Sequence, residues 1–298
     1  MSSTAGGSAR PGDGVTAIVV TYHPDEDAGL RLQALRPQVE HLVVVDNGSS
    51  AEELQRLRTA TCEQRVELIE NGENLGIATA LNVGVLRALE KGSRWVLLFD
   101  QDSQVTEGFV AGMLNAFATS PWGDRLAILV PQYRDVRLGL PIPSIRVRDG
   151  IEAAMTSGSL IPVRVFQQHG LFREELFIDA VDYEYSLRLR KAGKVIEETA
   201  EATLLHEPGA PVLHRFAGQV MFRTANYSPV RRYYQERNKI WVTRRYLFDF
   251  PVFCMKLMMF SAKDFTKIVL AEQNKRVKMR YFLRGMVDGL RNRMGRLD

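Results

Sequence analysis

Four strand-like runs at regular spacing, three of them mainly apolar, constrain the fold of this chain more than any other feature. They are Val15–Thr21, His41–Val45, Arg65–Glu70 and Trp95–Phe99. The three apolar runs suit strands covered on both faces, as in parallel sheets. The segments between them have helical spacing. Leu30, Leu32 and Leu35 mark a helix from Asp27 that stops at Pro37. Ser50 caps a helix over Ala51–Thr59, with Glu53 three residues on completing a capping box. Ile77–Glu90 is a third helix, and Gly92 ends it. Parallel neighbours need crossovers, so this order predicts an α/β fold: a mostly parallel, Rossmann-like sheet with helices on both faces.

Beyond residue 102 the alternation weakens. Ala127–Val130 and Ser157–Ile161 read as strands, and the Arg-, Pro- and Gly-rich stretch 134–149 as a loop or mobile flap. Asp182–Ala192 is a helix ended by Gly193, followed by two short strands at Lys194–Glu198 and Ala202–His206. From Pro229 onward the chain reads as helix. The expected organisation is a disordered leader over 1–14, a catalytic domain over 15–228 with halves at 15–105 and 106–228, and a helical extension over 229–298.

Charge separates the body from that extension. Arg231–Asp298 carries 17 Lys/Arg against 6 Asp/Glu, a surplus of +11, while the remainder carries 22 against 29, a balance of −7. A basic tail on an acidic body predicts an anionic partner surface. No base-reading or stacking motif accompanies the charge, which excludes nucleic acid. A basic amphipathic tail points instead to an anionic membrane surface. The helical spacing of Phe253, Leu257 and Phe260 offers a homodimer through the C-terminal helices as the alternative. No apolar run reaches the length of a membrane span, no signal-peptide core is present, and Cys62 and Cys254 match no disulfide or metal framework. The expected location is cytoplasmic, peripheral at the inner face of the cell membrane.

Polar residues gather where these strands end, the place where open α/β sheets bind ligands. Thr21-Tyr22 follow the first strand, Asp46-Asn47 the second, and Asn71 to Gly76, including Asn74, lead from the third into a helix N-terminus suited to an anion. Asp46 can accept from a base N–H or a ribose hydroxyl, although Asp, Asn and Gly also make ordinary turns. Asp100-Gln101-Asp102-Ser103 follow the fourth strand. On an extended chain the two carboxylates would point to one side. Such a pair calls for a hard cation, Mg²⁺ or Mn²⁺, whose shell phosphate oxygens complete. There is no P-loop and no G-x-G-x-x-G after the first strand, which disfavours P-loop NTPases and dinucleotide dehydrogenases.

The segments V-V-T-Y-H-P-D (19–25), V-V-V-D-N-G-S-S (43–50), N-G-E-N-L-G-I-A-T-A-L-N-V-G (71–84) and L-L-F-D-Q-D-S-Q (97–104) resemble the inverting GT-A glycosyltransferases of family 2. The D-Q-D-S form is similar to the bacterial rhamnosyltransferase branch. So are F-I-D-A-V-D-Y-E-Y-S-L-R-L (177–189), L-L-H-E-P-G (204–209), R-R-Y-Y-x-x-R-N (231–238) and G-M-V-D-G-L (285–290). The likeness runs from about residue 15 to 295. It implies that Asp46 contacts the nucleobase, that Asn74 and Asp100 hold the nucleotide sugar, and that Asp102 binds the metal with His206 nearby. It places the catalytic base at Asp182, with Asp179 and Glu184 as alternatives. It implies a dTDP-L-rhamnose donor and a glycan or lipid-linked glycan acceptor, with galactofuranosyl or other hexosyl transfer as the alternative. A non-catalytic sugar-nucleotide binder would lack these carboxylates. A nucleotidyltransferase would open with a Gly-rich loop where Thr21-Tyr22-His23-Pro24 stands.

Overall fold

The computed structural model describes residues 12–136, 139–206, 212–216, 219–224 and 226–297. In chain order the elements are β1 (Val15–Thr21), α1 (Ala28–Leu35), β2 (His41–Asp46), α2 (Ala51–Glu63), β3 (Glu67–Glu70), α3 (Ile77–Glu90), β4 (Trp95–Asp100), β5 (Gln104–Val105), α4 (Phe109–Thr119) and β6 (Leu126–Asp135). There follow β7 (Pro141–Ile142), β8 (Leu160–Pro162), α5 (Val163–His169), α6 (Val181–Lys191), β9 (Val195–His206), β10 (Val212–Phe216), β11 (Gln219–Thr224), α7 (Pro229–Tyr246), α8 (Pro251–Leu270) and α9 (Lys275–Leu290). The chain packs as two compact units that do not follow chain order. One holds residues 12–74, 80–171 and 194–206. The other holds 75–79, 172–193 and the described residues from 212 onward. The boundary read from the sequence at 228 follows the chain, whereas packing groups α6 with the C-terminal helices.

The first unit is built on a sheet in the order β3-β2-β1-β4-β8-β6-β9-β5, with β7 paired to β6. The β1–β2, β2–β3, β1–β4 and β6–β9 pairs are parallel, as the alternation predicts. All seven residues of β1 are buried, as its unbroken apolar run requires of a central strand. The leader reaches residue 14, and its residues 1–11 lie outside the described part. Gly12 is already fixed there, its carbonyl accepting from the Val15 and Glu40 N–H groups at 3.0 and 3.2 Å.

Two local expectations are corrected, and the orientation of a third strand is added. The 134–149 stretch is not a plain loop, because β7 folds back on β6, pairing Tyr133 with Ile142, and Arg146 bridges to Ile151. The two short strands after α6 are one strand, β9, whose pairing with β6 slips between Pro131 and Gln132; the intervening Thr199–Thr203 bulge looked like a gap in the sequence. Finally, β8 enters antiparallel between β4 and β6.

In the second unit α7 and α9 pack closely because two glycines let them. A Cβ at Gly285 would stand 2.5 Å from the Tyr233 carbonyl oxygen, and one at Gly289 would stand 2.6 Å from that of Arg237. Three of the basic residues of this unit, Arg232, Arg237 and Lys278, are interior. Arg232 and Lys278 share Glu272, and Lys239 pairs with Asp264 at 2.6 Å. Phe253 and Leu257 are also buried, at 7% and 3% exposure, so the expected dimer face is corrected: only Phe260 of that trio reaches the surface.

Candidate active site

The parallel register sets four polar residues side by side at the carboxyl edge of the sheet. Thr21 pairs with Asp46, Asp46 with Glu70, and Val20 with Asp100. Asp46 is 1% exposed, and both carboxylate oxygens are engaged. One accepts from the Thr21 hydroxyl at 3.0 Å and from Ser49 Oγ, the other from the Gly48 and Ser49 N–H groups at 3.1 and 3.0 Å. Asp46 therefore shapes the β2 loop from within.

Asparagines join that loop to the next. Asn71 Nδ2 donates to Asn47 Oδ1 at 3.1 Å, and Asn47 Nδ2 donates to Asn74 Oδ1 at 3.2 Å. Gly48 makes the approach possible: its φ is +93°, and a Cβ there would lie 2.6 Å from the Glu73 carbonyl carbon. The sequence pointed to Asn71 and Asn74, but not to Asn47 as the link between them. The β1 loop is tied to the same edge. The Tyr22 N–H donates to Gln101 Oε1 at 2.7 Å, while the half-exposed Tyr22 ring packs against His23. His23 Nδ1 lies 2.7 Å from Glu53, the residue that completes the α2 capping box. Hydrogen bonds from Ser50 and His23 lower the Glu53 carboxyl to about 2.

The Asp100–Ser103 segment is a tight turn, not extended chain. The Ser103 N–H donates to the Asp100 carbonyl at 3.2 Å. The expectation of two parallel carboxylates is corrected accordingly, since the 2-residue period holds only in a strand. Ser157 anchors the turn, accepting from the Asp100 N–H at 3.3 Å and pairing with the Ser103 hydroxyl. Asp100 is half-buried, and Asp102 is exposed at the turn's tip. A small cavity of about 10 Å³ is lined by the polar Thr21, Arg31 and Asp100 together with the apolar Leu32, Leu35 and Phe99.

Strand pairing draws the two metal candidates toward one edge. Gln104 pairs antiparallel with Leu205, so the next positions along the ladder are Ser103 and His206, with Asp102 one residue further. The backbone of His206 closes β9 opposite Asp135, and its side chain lies outside the described part. Among the described residues no three His, Cys, Asp or Glu side chains form a metal cage. Asp102 makes no ion pair or hydrogen bond among the described residues. One exposed carboxylate at the strand ends is the type of oxygen donor that a hard cation takes alongside phosphate oxygens and water.

The acidic cluster of the second unit resolves into three different environments. Glu184 is fully buried: Arg173 Nε and the Tyr246 hydroxyl donate to one oxygen at 3.0 and 2.9 Å, and Arg188 donates to the other at 2.9 Å. Its oxygens are committed to the fold, which removes it as a base. Burial pushes the Tyr246 phenol up to about 12, so it remains a donor to Glu184. Asp179 pairs with Arg231 through two contacts of 3.3 Å. Asp182, in the first turn of α6, is half-buried and accepts the Tyr183 N–H at 2.8 Å.

The loop before α6 holds three non-glycine residues at positive φ: Phe177 (64°), Asp179 (62°) and Ala180 (63°). Such backbone persists only where its surroundings over-determine it. Asn238 Nδ2 does so by donating to the carbonyls of Leu176, Ile178 and Asp179 at 2.9, 2.7 and 2.8 Å. Arg237 donates to the Glu175 and Leu176 carbonyls at 3.1 and 2.9 Å. The Ile77 N–H, first in α3, donates to the Phe177 carbonyl at 2.7 Å, so this helix N-terminus already spends one donor on the same loop. The R-R-Y-Y-x-x-R-N segment carried the signal for Arg237 and Asn238, although its role needed the fold.

Residues 16–155 match the family described as Glycosyl transferase family 2. The chain is 28% identical to the dTDP-rhamnosyl transferase RfbF of Shigella flexneri, over 94% of this chain and 97% of that protein. It is 25% identical to the galactofuranosyltransferase GlfT1 of Mycobacterium tuberculosis, over 77% of this chain and 82% of that protein. Among solved structures, the mannosyltransferase PcManGT of Pyrobaculum calidifontis, in complex with GDP-Man and Mn²⁺, matches with a TM-score of 0.57 at 13% identity, covering 96% of this chain and 88% of that one. The fold is GT-A-like, with a helical C-terminal region.

Proposed function

Because this chain carries a family 2 glycosyl transferase domain and is a glycosyltransferase, we propose that it moves L-rhamnose from dTDP-L-rhamnose, with inversion, onto a cell-surface polysaccharide or lipopolysaccharide precursor. The observation that carries the donor is the likeness to a dTDP-rhamnosyl transferase over nearly the full length of both chains. The nucleotide lies along the loops after β1, β2, β3 and β4, which Asp46, the Asn71–Asn47–Asn74 chain and Gln101 hold in shape. Tyr22 offers an exposed ring beside that edge, and Asn74 and Asp100 face the nucleotide sugar.

Asp102, with His206 nearby, would hold Mg²⁺ or Mn²⁺, which supplies charge neutralisation for the diphosphate leaving group. Asp182 takes the proton from the acceptor hydroxyl as general base. The attacking oxygen approaches the face opposite the departing diphosphate, and the anomeric centre inverts through an oxocarbenium-like transition state. Glu184, locked by two arginines and a tyrosine, keeps α6 in place and does no proton transfer. The enzyme works at the inner face of the membrane on a free or lipid-linked glycan.

Titration of dTDP-L-rhamnose, UDP-galactofuranose and UDP-glucose, with Mn²⁺ and with chelator, tests the reading together with turnover of two variants. The expected order is dTDP-L-rhamnose tightest and metal-dependent. Asp182→Asn binds donor normally yet transfers about 10²-fold more slowly or worse, and Asp102→Ala loses both transfer and metal-dependent affinity. Preference for the galactofuranosyl donor would move the substrate to that of the mycobacterial relative. Full turnover of Asp102→Ala in chelator would remove the metal role.

A further inference from the structure

The C-terminal helices present a surface that the transfer reaction does not use. On α8 the inward face is Phe253, Cys254, Leu257, Ser261 and Ile268. Opposite them, Val252, Met255 and Met259 follow one another at helical spacing and are 63%, 68% and 49% exposed. Phe248, one turn before the helix, is 97% exposed, and Leu270 ends the same face. A stripe of this kind is costly in water and marks a binding surface.

Charge complementarity identifies what covers it. Lys256, Lys263 and Lys267 run along one flank of the stripe at spacings of seven and four. The single acid of the helix, Asp264, is turned inward, where it pairs with Arg232 and Lys239. The outer face is therefore apolar with a basic border and without a carboxylate. No described helix is long and apolar enough to cross a membrane, so a helix of this pattern lies along an interface.

We propose that the outer face of α8, led by Phe248, docks on an anionic lipid bilayer, with the apolar stripe at the acyl boundary and the three lysines among the headgroups. This rests on the reading of an enzyme that works at a membrane face, and it names the surface that makes the contact. The acceptor is then met in two dimensions rather than three.

Co-sedimentation of the full chain with phosphatidylglycerol-rich and with pure phosphatidylcholine vesicles tests this without donor, acceptor or turnover. A negative result therefore leaves the glycosyl-transfer reading intact, and loss of transfer leaves this one intact. The chain should pellet with the anionic vesicles and be released as salt rises. Phe248→Ser, Met255→Ser and Met259→Ser combined should lower partitioning about tenfold or more with unchanged circular dichroism and unfolding temperature. Lys256→Gln and Lys263→Gln should each lower it about fivefold. A chain that stays in the supernatant with anionic vesicles overturns the proposal. So does undiminished binding of the triple variant, which would move the contact elsewhere. A dimer by light scattering that the triple variant turns into a monomer, without vesicle binding, would assign the face to a second copy instead.

Discussion

Neighbouring carboxylates in one short segment have opposite duties here, and burial tells them apart. Glu184 is enclosed by Arg173, Arg188 and Tyr246, so Glu184→Gln leaves two guanidiniums facing a neutral amide. Breaking such a pair from one side is expensive. Both arginines keep some solvent contact, at 29% and 21% side-chain exposure, so a loss of about 3 kcal/mol is expected, toward the low end for buried pairs. Urea unfolding should show it, whereas Asp182→Asn should unfold close to wild type. Equal destabilisation by both variants would mean that Asp182 is also structural. Asn238→Ala tests the strained loop. It removes an amide whose two N–H groups are shared among the carbonyls at residues 176, 178 and 179. Each N–H bond is worth about 1 kcal/mol, but the strain they hold should relax when they go, so kcat is expected to fall more than stability suggests. Donor KM should move less than kcat, because Asp46, Asn74 and Asp100 belong to the other unit. A purely structural role would lower the active fraction, leaving kcat per folded molecule and its pH profile unchanged, and Asn238→Gln would then rescue nothing that Ala loses.

Elements were legible from the sequence to the extent that their causes are local. The Ser50–Glu53 capping box is four residues long, and the structure forms both of its bonds. The evenly spaced runs announced β1 to β4 and their parallel order. What escaped notice depends on distant partners. β8 pairs antiparallel because its neighbours β4 and β6 leave a slot there, and no residue in Leu160–Pro162 records that. Phe253 and Leu257 have the spacing of a sticky face, but periodicity does not say whether the partner is another chain or this one. At the site, residue types at strand ends were readable, whereas the use of Asp46 within its own loop and the commitment of Glu184 required three-dimensional neighbours. The α2 N-terminus supports a prediction of its own. Glu53 falls from an ordinary 4.5 to about 2, chiefly through Ser50 and then His23. A carboxyl depressed by folding contributes stability above its unfolded value, and the contribution is lost as pH falls through its folded value. The brace on His23 should thus be complete above about pH 4.5 and gone near pH 2. Ser50→Ala should cost about 1 kcal/mol at neutral pH, and Glu53→Ala should weaken donor binding by loosening the β1 loop. Donor affinity unaffected by Glu53→Ala would show that the brace does not reach the nucleotide.

At the scale of the molecule, the residues proposed for donor binding and for the base fall in different units. Asp46, Asn71, Asn74, Asp100, Asp102 and the backbone of His206 belong to the sheet unit, and Asp182 to the other. A nucleotide that binds only the folded sheet unit stabilises that unit by mass action, about 2.7 kcal/mol at a concentration of 100 times Kd. For a unit of this size that is a rise of roughly 5 to 10 °C in Tm. Calorimetry of the intact chain with dTDP and Mn²⁺ should therefore raise the melting of the sheet unit. If the units melt separately, the other transition should stay where it is. Chelator should abolish the shift, because Asp102 meets the diphosphate through a cation in this reading. UDP under the same conditions should shift it less, since it lacks the 5-methyl group of the base and carries a 2′-hydroxyl on the ribose. An equal shift in chelator would mean that the loops hold nucleotide without metal, and a larger shift with UDP would reject the thymidine donor. A shift confined to the helical unit would place the nucleotide away from the strand ends altogether. That last outcome would contradict the assignment of donor binding to Asp46, Asn74 and Asp100 as a group, whatever the variants of single residues had shown.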